Sequence, residues 1–172
     1  MKIRNWQIIV LIVCLALGTL LHFTYEWSGE NQLVALFSAV NESTWEHLKL
    51  IYYPTLTMAI IGYFVIGKRT KNFWLSQAIG IITAITFTIV FFYAYTGVIG
   101  TNFAVLNIGS FVVAILLETY VTYRLLKSPQ MYNAEIISII LLILLLSIFV
   151  IYTFNPPQIP LFQDPISGGY GV

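Results

Sequence analysis

The chain has 172 residues, 59% of them hydrophobic and only 9% charged, with a formal net charge of +1. Soluble domains carry about 25% charged residues, so this composition excludes an ordinary water-soluble fold and reads as a polytopic membrane protein. The near-neutral charge offers no basic face for nucleic acid, and the single cysteine, Cys14, excludes an intrachain disulfide or a cysteine metal cluster.

A helix needs about 20 mostly apolar residues to cross the hydrocarbon core. Five segments qualify, at about 6–26, 44–66, 73–98, 103–126 and 135–154. The first follows a short basic stretch, as a signal peptide would. Its apolar run is too long, however, and continues into His22, Tyr25 and Trp27 rather than a small-residue cleavage site, which predicts an uncleaved helix. In "ENQLVALFSAV", Leu33, Leu36, Phe37 and Val40 recur at helical spacing. That pattern predicts an interfacial amphipathic helix of about two to three turns, too short to span.

The second span opens on "NESTWEHLKL", the densest polar stretch of the chain. Ser43 and Glu46 have the spacing of a capping box, in which each side chain satisfies a free amide at the helix start. Pro54 removes the hydrogen bond to the Leu50 carbonyl, which predicts a kink. The third span ends on Tyr93, Tyr95 and Thr96. On the fourth, Asn107, Ser110, Ala114, Glu118 and Thr122 form a small and polar stripe suited to face other helices. Glu118 is an intramembrane carboxylate, costly in lipid and expected to point into the protein. The fifth span is almost purely aliphatic and reads as lipid-facing. The expected fold is all-α: residues 1–155 form one five-helix transmembrane bundle, and the Pro- and Gly-rich tail 156–172 packs over its outer mouth.

Seven of the eight basic residues (Lys2, Arg4, Lys68, Arg69, Lys71, Arg124 and Lys127) fall at one end of these spans, and only Lys49 at the other. The positive-inside rule then predicts a cytoplasmic N-terminus and an extracytoplasmic C-terminus, with Trp6 and Trp74 at the inner interface and Trp27 and Trp45 at the outer one.

The outer end collects Glu26, Glu30, Glu42, Glu46, Asp164 and both histidines, His22 and His47. His22 and Glu26 share a helix face with Tyr25 nearby. Glu42, Glu46, Lys49 and Tyr53 follow spacings that align them on one stripe, with His47 adjacent. Depth lets His22 and His47 meet, while Glu118 lies too deep to join them. One reading is an outward pocket lined by His22, Tyr25, Glu26, Glu42, Glu46, His47, Lys49, Tyr53 and Asp164 that binds a small cation or a lipid head group. A second is a divalent metal held by His22, His47, Glu42 and Glu46, donors that zinc accepts, in a membrane-embedded hydrolase. The spacing matches neither H-E-x-x-H nor H-x-x-E-H. Bis-histidine haem ligation is geometrically open, but nothing else in the chain asks for haem. The bland alternative is a structural cluster whose polar groups satisfy one another. Five helices without a repeat make a poor secondary transporter alone, so a homodimer is a further candidate.

The blocks "LLHFTYEWSG", "ALFSAVNESTWEHLKLIYYP" and "PPQIPLFQDPISGGYG" resemble the signature blocks of a family of uncharacterised integral membrane proteins found mainly in Gram-positive bacteria. The resemblance covers almost the whole chain. It implies a small multi-pass protein of the bacterial cytoplasmic membrane, in contact with the lipid bilayer. It carries no catalytic role.

Overall fold

A computed structural model describes residues 1–130 and 134–172. Five long helices form a bundle: α1 (Ile3–Trp27), α3 (Thr44–Val65), α4 (Phe73–Ile99), α5 (Ala104–Leu126) and α6 (Ala134–Phe154). All five are long and apolar enough to cross a membrane. Between α1 and α3 lies α2 (Gln32–Ala35), and short 3-10 turns occupy Gly67–Arg69 and Pro160–Phe162. No strand occurs among the described residues, which carry one isolated bridge, Gln163 to Tyr170.

Helices in lipid gain little from apolar burial against one another, so close packing over small residues holds them. Three glycines make that possible here. A Cβ on Gly18 of α1 would stand 2.5 Å from the Leu50 carbonyl oxygen of α3 and 2.6 Å from the Phe111 ring of α5. A Cβ on Gly62 would meet Trp6 at 2.7 Å, and Gly80 is capped by Thr122 and Glu118. The Leu50 carbonyl is the one that Pro54 deprives of its helical donor. α3 runs as one helix through Pro54, with the freed carbonyl turned towards Gly18. The expected stripe on α5 does face its neighbours, with Ser110, Ala114, Glu118 and Thr122 all buried.

Helix ends are tied by specific groups. Gly100 ends α4 in the left-handed conformation (φ 83°), its amide returning to Thr96 O at 2.7 Å. The free amides of Trp74 and Leu75 at the start of α4 donate to the Glu135 carboxylate at 2.9 and 3.3 Å, so the first acidic residue of α6 caps a neighbouring helix. α2 is one turn long, shorter than its apolar pattern suggested. The Lys49 ammonium draws the carbonyls of Ala35 and Ser38 to itself at 2.9 and 3.3 Å, which stops the segment from continuing as helix.

The tail folds back on the bundle. Phe162 packs on Trp45 with ring centroids 4.7 Å apart. The amide of Val172 donates to Thr153 O at 3.2 Å, and Asn41 Nδ2 donates to Gly171 O at 3.0 Å. Two of the tryptophans are buried between helices: Trp6 and Trp45 are 5% and 8% exposed, while Trp27 is 67% exposed. Each of the buried pair fills a gap between helices, Trp6 beside Gly62 and Trp45 between Phe149 and Phe162.

Candidate functional site

At the end of the bundle that carries the tail, α1 and α3 each present a histidine to one carboxylate. His22 Nε2 lies 3.8 Å from Glu42 Oε1, and His47 Nε2 lies 3.4 Å from Glu42 Oε2. The two rings meet edge-on with centroids 5.2 Å apart. One ligand atom from each of the three residues falls within 4.8 Å of the others. Glu42 sits in the loop just before Ser43, and its backbone amide is close enough to Asp164 of the tail to favour that group's charged form.

Each histidine is aimed from behind. The His47 Nδ1 stands 2.8 Å from the Ser43 carbonyl. A carbonyl only accepts, so Nδ1 carries hydrogen and a neutral ring presents its Nε2 lone pair to Glu42. Two lone pairs then face each other unless a proton or a metal cation lies between them. On α1, the Ser38 hydroxyl enters the helical ladder one residue from His22. It donates to Leu21 O and accepts from the Tyr25 amide at 3.0 Å and from Thr24 Oγ1 at 2.9 Å. Insertion into the i→i−4 ladder is a recognised cause of local helix bending.

With a proton on His47 Nε2, the hydrogen bond it donates holds the Glu42 carboxyl below its usual range and outweighs the partial burial of that group. Asp164 is also held low. Burial alone would raise it, but the Ser167 hydroxyl and the amides of Ile166, Ser167 and Glu42 all favour its charged form.

A cavity of about 270 Å³ opens beside the cluster between α3, α4 and α5. Glu42 and His47 form one wall, Thr44, Thr88, Asn107 and Ser110 supply polar groups, and Phe92 and Phe111 supply aromatic ones.

The structure separates the other expected site residues from this cluster. Glu46 and Lys49 are 1% and 0% exposed and pair with each other at 2.6 Å. Lys49 spends its remaining hydrogens on Ala35 and Ser38, and Glu46 Oε2 also accepts the Val40 amide at 3.0 Å. The capping box is therefore half formed: Ser43 Oγ accepts the Glu46 amide at 3.3 Å, while the Glu46 carboxylate turns to Lys49 and Val40. Glu46 Oε1 and the Tyr53 hydroxyl are buried without a hydrogen-bond partner. Tyr25 is buried on α1, Glu26 is exposed beyond it, and Asp164 organises the turn at 164–168. Glu118 is fully buried on α5, accepting from Thr122 at 3.0 Å and from Thr119 at 3.2 Å.

Sequence reasoning overlooked Ser38 and the Ser43 carbonyl. Neither has a side-chain pattern that signals its role, because a backbone oxygen and an inserted hydroxyl are set by tertiary contact. It expected a pocket at Glu42 and His47 but not the α4 and α5 walls, Thr88, Phe92 and Phe111 among them, although it had placed Asn107 and Ser110 on an inward stripe.

No curated protein and no solved structure matches the chain. The chain belongs to a family of unknown function, DUF6512, whose model matches residues 1–172.

Proposed function

We propose, since membership of that family fixes no activity, that this is a multi-pass membrane protein that binds a divalent transition-metal cation at His22, Glu42 and His47. The observation that carries the reading is the arrangement of two imidazole Nε2 atoms on the two oxygens of one carboxylate, at 3.8 and 3.4 Å. A tetrahedral zinc centre with bonds of about 2.0–2.1 Å has ligand–ligand edges of about 3.3 Å. The Glu42 edges are within small side-chain adjustments of that. The Ser43 carbonyl supports His47 in the way outer-shell acceptors support metal-bound histidines. The basic end of the bundle, by the positive-inside rule, faces the cytoplasm, which puts the site on the extracytoplasmic side of a cytoplasmic membrane.

Two histidines and a carboxylate leave one tetrahedral position for an exchangeable ligand. The adjoining cavity supplies the space for it, and an oxygen donor such as a lipid head group suits a cation there. The same cavity favours a second reading, a metal-dependent hydrolase. In it the cation lowers the pKa of a bound water and polarises a carbonyl or phosphoryl group.

Metal analysis tests the proposal. Protein purified in detergent, stripped by chelator and titrated with zinc is expected to bind one equivalent. His22→Ala, Glu42→Ala and His47→Ala should each weaken binding at least about tenfold. Absence of stoichiometric binding, or equal binding by the three variants, would leave a histidine–carboxylate ion pair instead.

A further inference from the structure

The opposite end of the bundle holds a second candidate site, independent of the metal cluster. A cavity of about 590 Å³ lies between the start of α1, the end of α3 and the end of α5. Four cations line it: Lys2, Arg4, Arg69 and Lys127. No acidic residue is among its lining residues. Of the two carboxylates nearest in sequence, Glu118 is fully buried on α5 against Thr119 and Thr122, and Glu135 is committed to the amides of Trp74 and Leu75. Among the described residues Lys2, Arg4 and Arg69 have no ion-pair partner. Lys127 Nζ donates to the Tyr123 hydroxyl at 3.2 Å, which leaves that hydroxyl's own proton for another acceptor. α1 adds its first amides, since Lys2 gives no side-chain cap and the first turn holds no acidic residue.

An apolar groove of about 250 Å³ adjoins this cavity and shares Arg4 and Tyr123 with it. It runs between α1 and α5 over Ile8, Leu11 and Leu116. Gln7 also lines it, is only 4% exposed, and has a carboxamide oxygen with no hydrogen-bond partner. A buried polar atom without a partner costs stability, so this one is explained by a group that the chain itself does not supply.

We propose that the basic cavity and the apolar groove together bind one anionic glycerophospholipid. Its phosphate sits among Lys2, Arg4, Arg69 and Lys127, and an acyl chain lies along the α1–α5 groove. A water carried in with the lipid donates to the Gln7 carboxamide oxygen. Three features combine in this choice of occupant. The cavity is cationic without counter-charge, which selects an anion. The groove is apolar and shares Arg4 and Tyr123 with the cavity, which selects an anion carrying a hydrocarbon chain. The site lies at the end of five apolar helices where interfacial lipid is available, and basic pockets between transmembrane helices are a known setting for anionic head groups. A free phosphate shares the first feature but leaves the groove and Gln7 unexplained.

The test uses the full chain, purified in mild detergent and analysed by native mass spectrometry and thermal unfolding. The ligands are phosphatidylglycerol, phosphatidylcholine and inorganic phosphate. Phosphatidylglycerol is expected to be retained at one per chain and to raise the unfolding temperature, with phosphatidylcholine and phosphate doing neither. Arg4→Gln and Arg69→Gln should each weaken retention about fivefold. Lys68→Gln, the same charge change outside the cavity, should leave it unchanged. Leu116→Trp, which fills the groove, should abolish lipid retention. Equal retention of phosphatidylcholine, equal losses in Lys68→Gln and Arg4→Gln, or phosphate stabilising as well as the lipid would each overturn the proposal. His47→Ala is a control that separates this site from the metal reading, since it should leave lipid retention intact whether or not zinc binds.

Discussion

Two charged clusters interleave at the start of α3, and they are built on opposite principles. In the first, Lys49 places all three of its hydrogens, on Ala35 O, Ser38 O and Glu46 Oε2, and is 0% exposed. In the second, Glu42 is shared by two histidines at distances of 3.4 and 3.8 Å, longer than a charged hydrogen bond prefers, and its side chain is 43% exposed. A buried lysine must be satisfied or it would not stay charged. A cluster beside a cavity can remain open because water or a ligand completes it. The full pairing of the Lys49 ammonium, set against the open Glu42, tells the structural cluster from the candidate site more than the residue types do, even though Glu46 Oε1 has no partner.

Removing the lysine is the harshest way to break this contrast. Lys49→Met strands the Glu46 carboxylate and the two carbonyls in the interior. Loss of one partner of a buried pair costs about 3–5 kcal/mol, read by chemical unfolding in detergent. The double variant with Glu46→Gln should recover part of that loss. A single variant within about 1 kcal/mol of the parent would mean that Lys49 is not a structural tie.

Next in size is Gly18→Val, which forces α1 away from the Leu50 carbonyl. Overpacking of this kind costs about 1–3 kcal/mol. It should also weaken zinc binding, because α1 carries His22 and α3 carries His47. A stability loss with unchanged zinc affinity would show that the cluster tolerates more movement than its geometry suggests.

Asp164 links the tail to the site and titrates. Its folded pKa is lowered, so the unfolded chain binds the proton more readily and stability rises with pH across the window. The contribution is present above the ordinary value of about 3.9 and fades as pH falls through the lower folded value. Asp164→Asn should remove that acid limb and loosen the tail at neutral pH by about 1 kcal/mol. Trp45 emission reports it, because Phe162 of the tail packs on that indole. An acid limb unchanged in the variant would assign it to another carboxylate.

Much of this architecture was legible in the amino-acid sequence. The five helices follow from long apolar runs, and the inward face of α5 from the spacing of Ser110, Ala114, Glu118 and Thr122. His22 and His47 were placed at one depth by helical rise alone. What the sequence left open was rotation. Glu46, His47 and Lys49 lie within four residues, and only packing decides which turn towards the 35–40 segment and which towards α1. Lys49 could not be read as a helix stop for α2, since its carbonyl partners lie 11 and 14 residues away. Half of the capping box failed for the same reason: Lys49 outcompetes the Ser43 amide for the Glu46 carboxylate.

The smallest expected change in stability is the one that discriminates best. His22 is partly exposed and makes one long contact with Glu42, so His22→Ala without added metal should shift unfolding by no more than about 0.5 kcal/mol. With zinc at a hundredfold excess over its Kd, the parent should gain about 2.7 kcal/mol through linkage, and the variant little of it. If a proton alone joins His22 and His47 to Glu42, zinc will stabilise neither protein. If Glu46 were a ligand in place of Glu42, Glu42→Gln would keep the zinc-dependent gain. The buried bond of Glu46 to Lys49 argues against that outcome, because releasing the carboxylate to a metal would reopen the tie whose loss is expected to cost most.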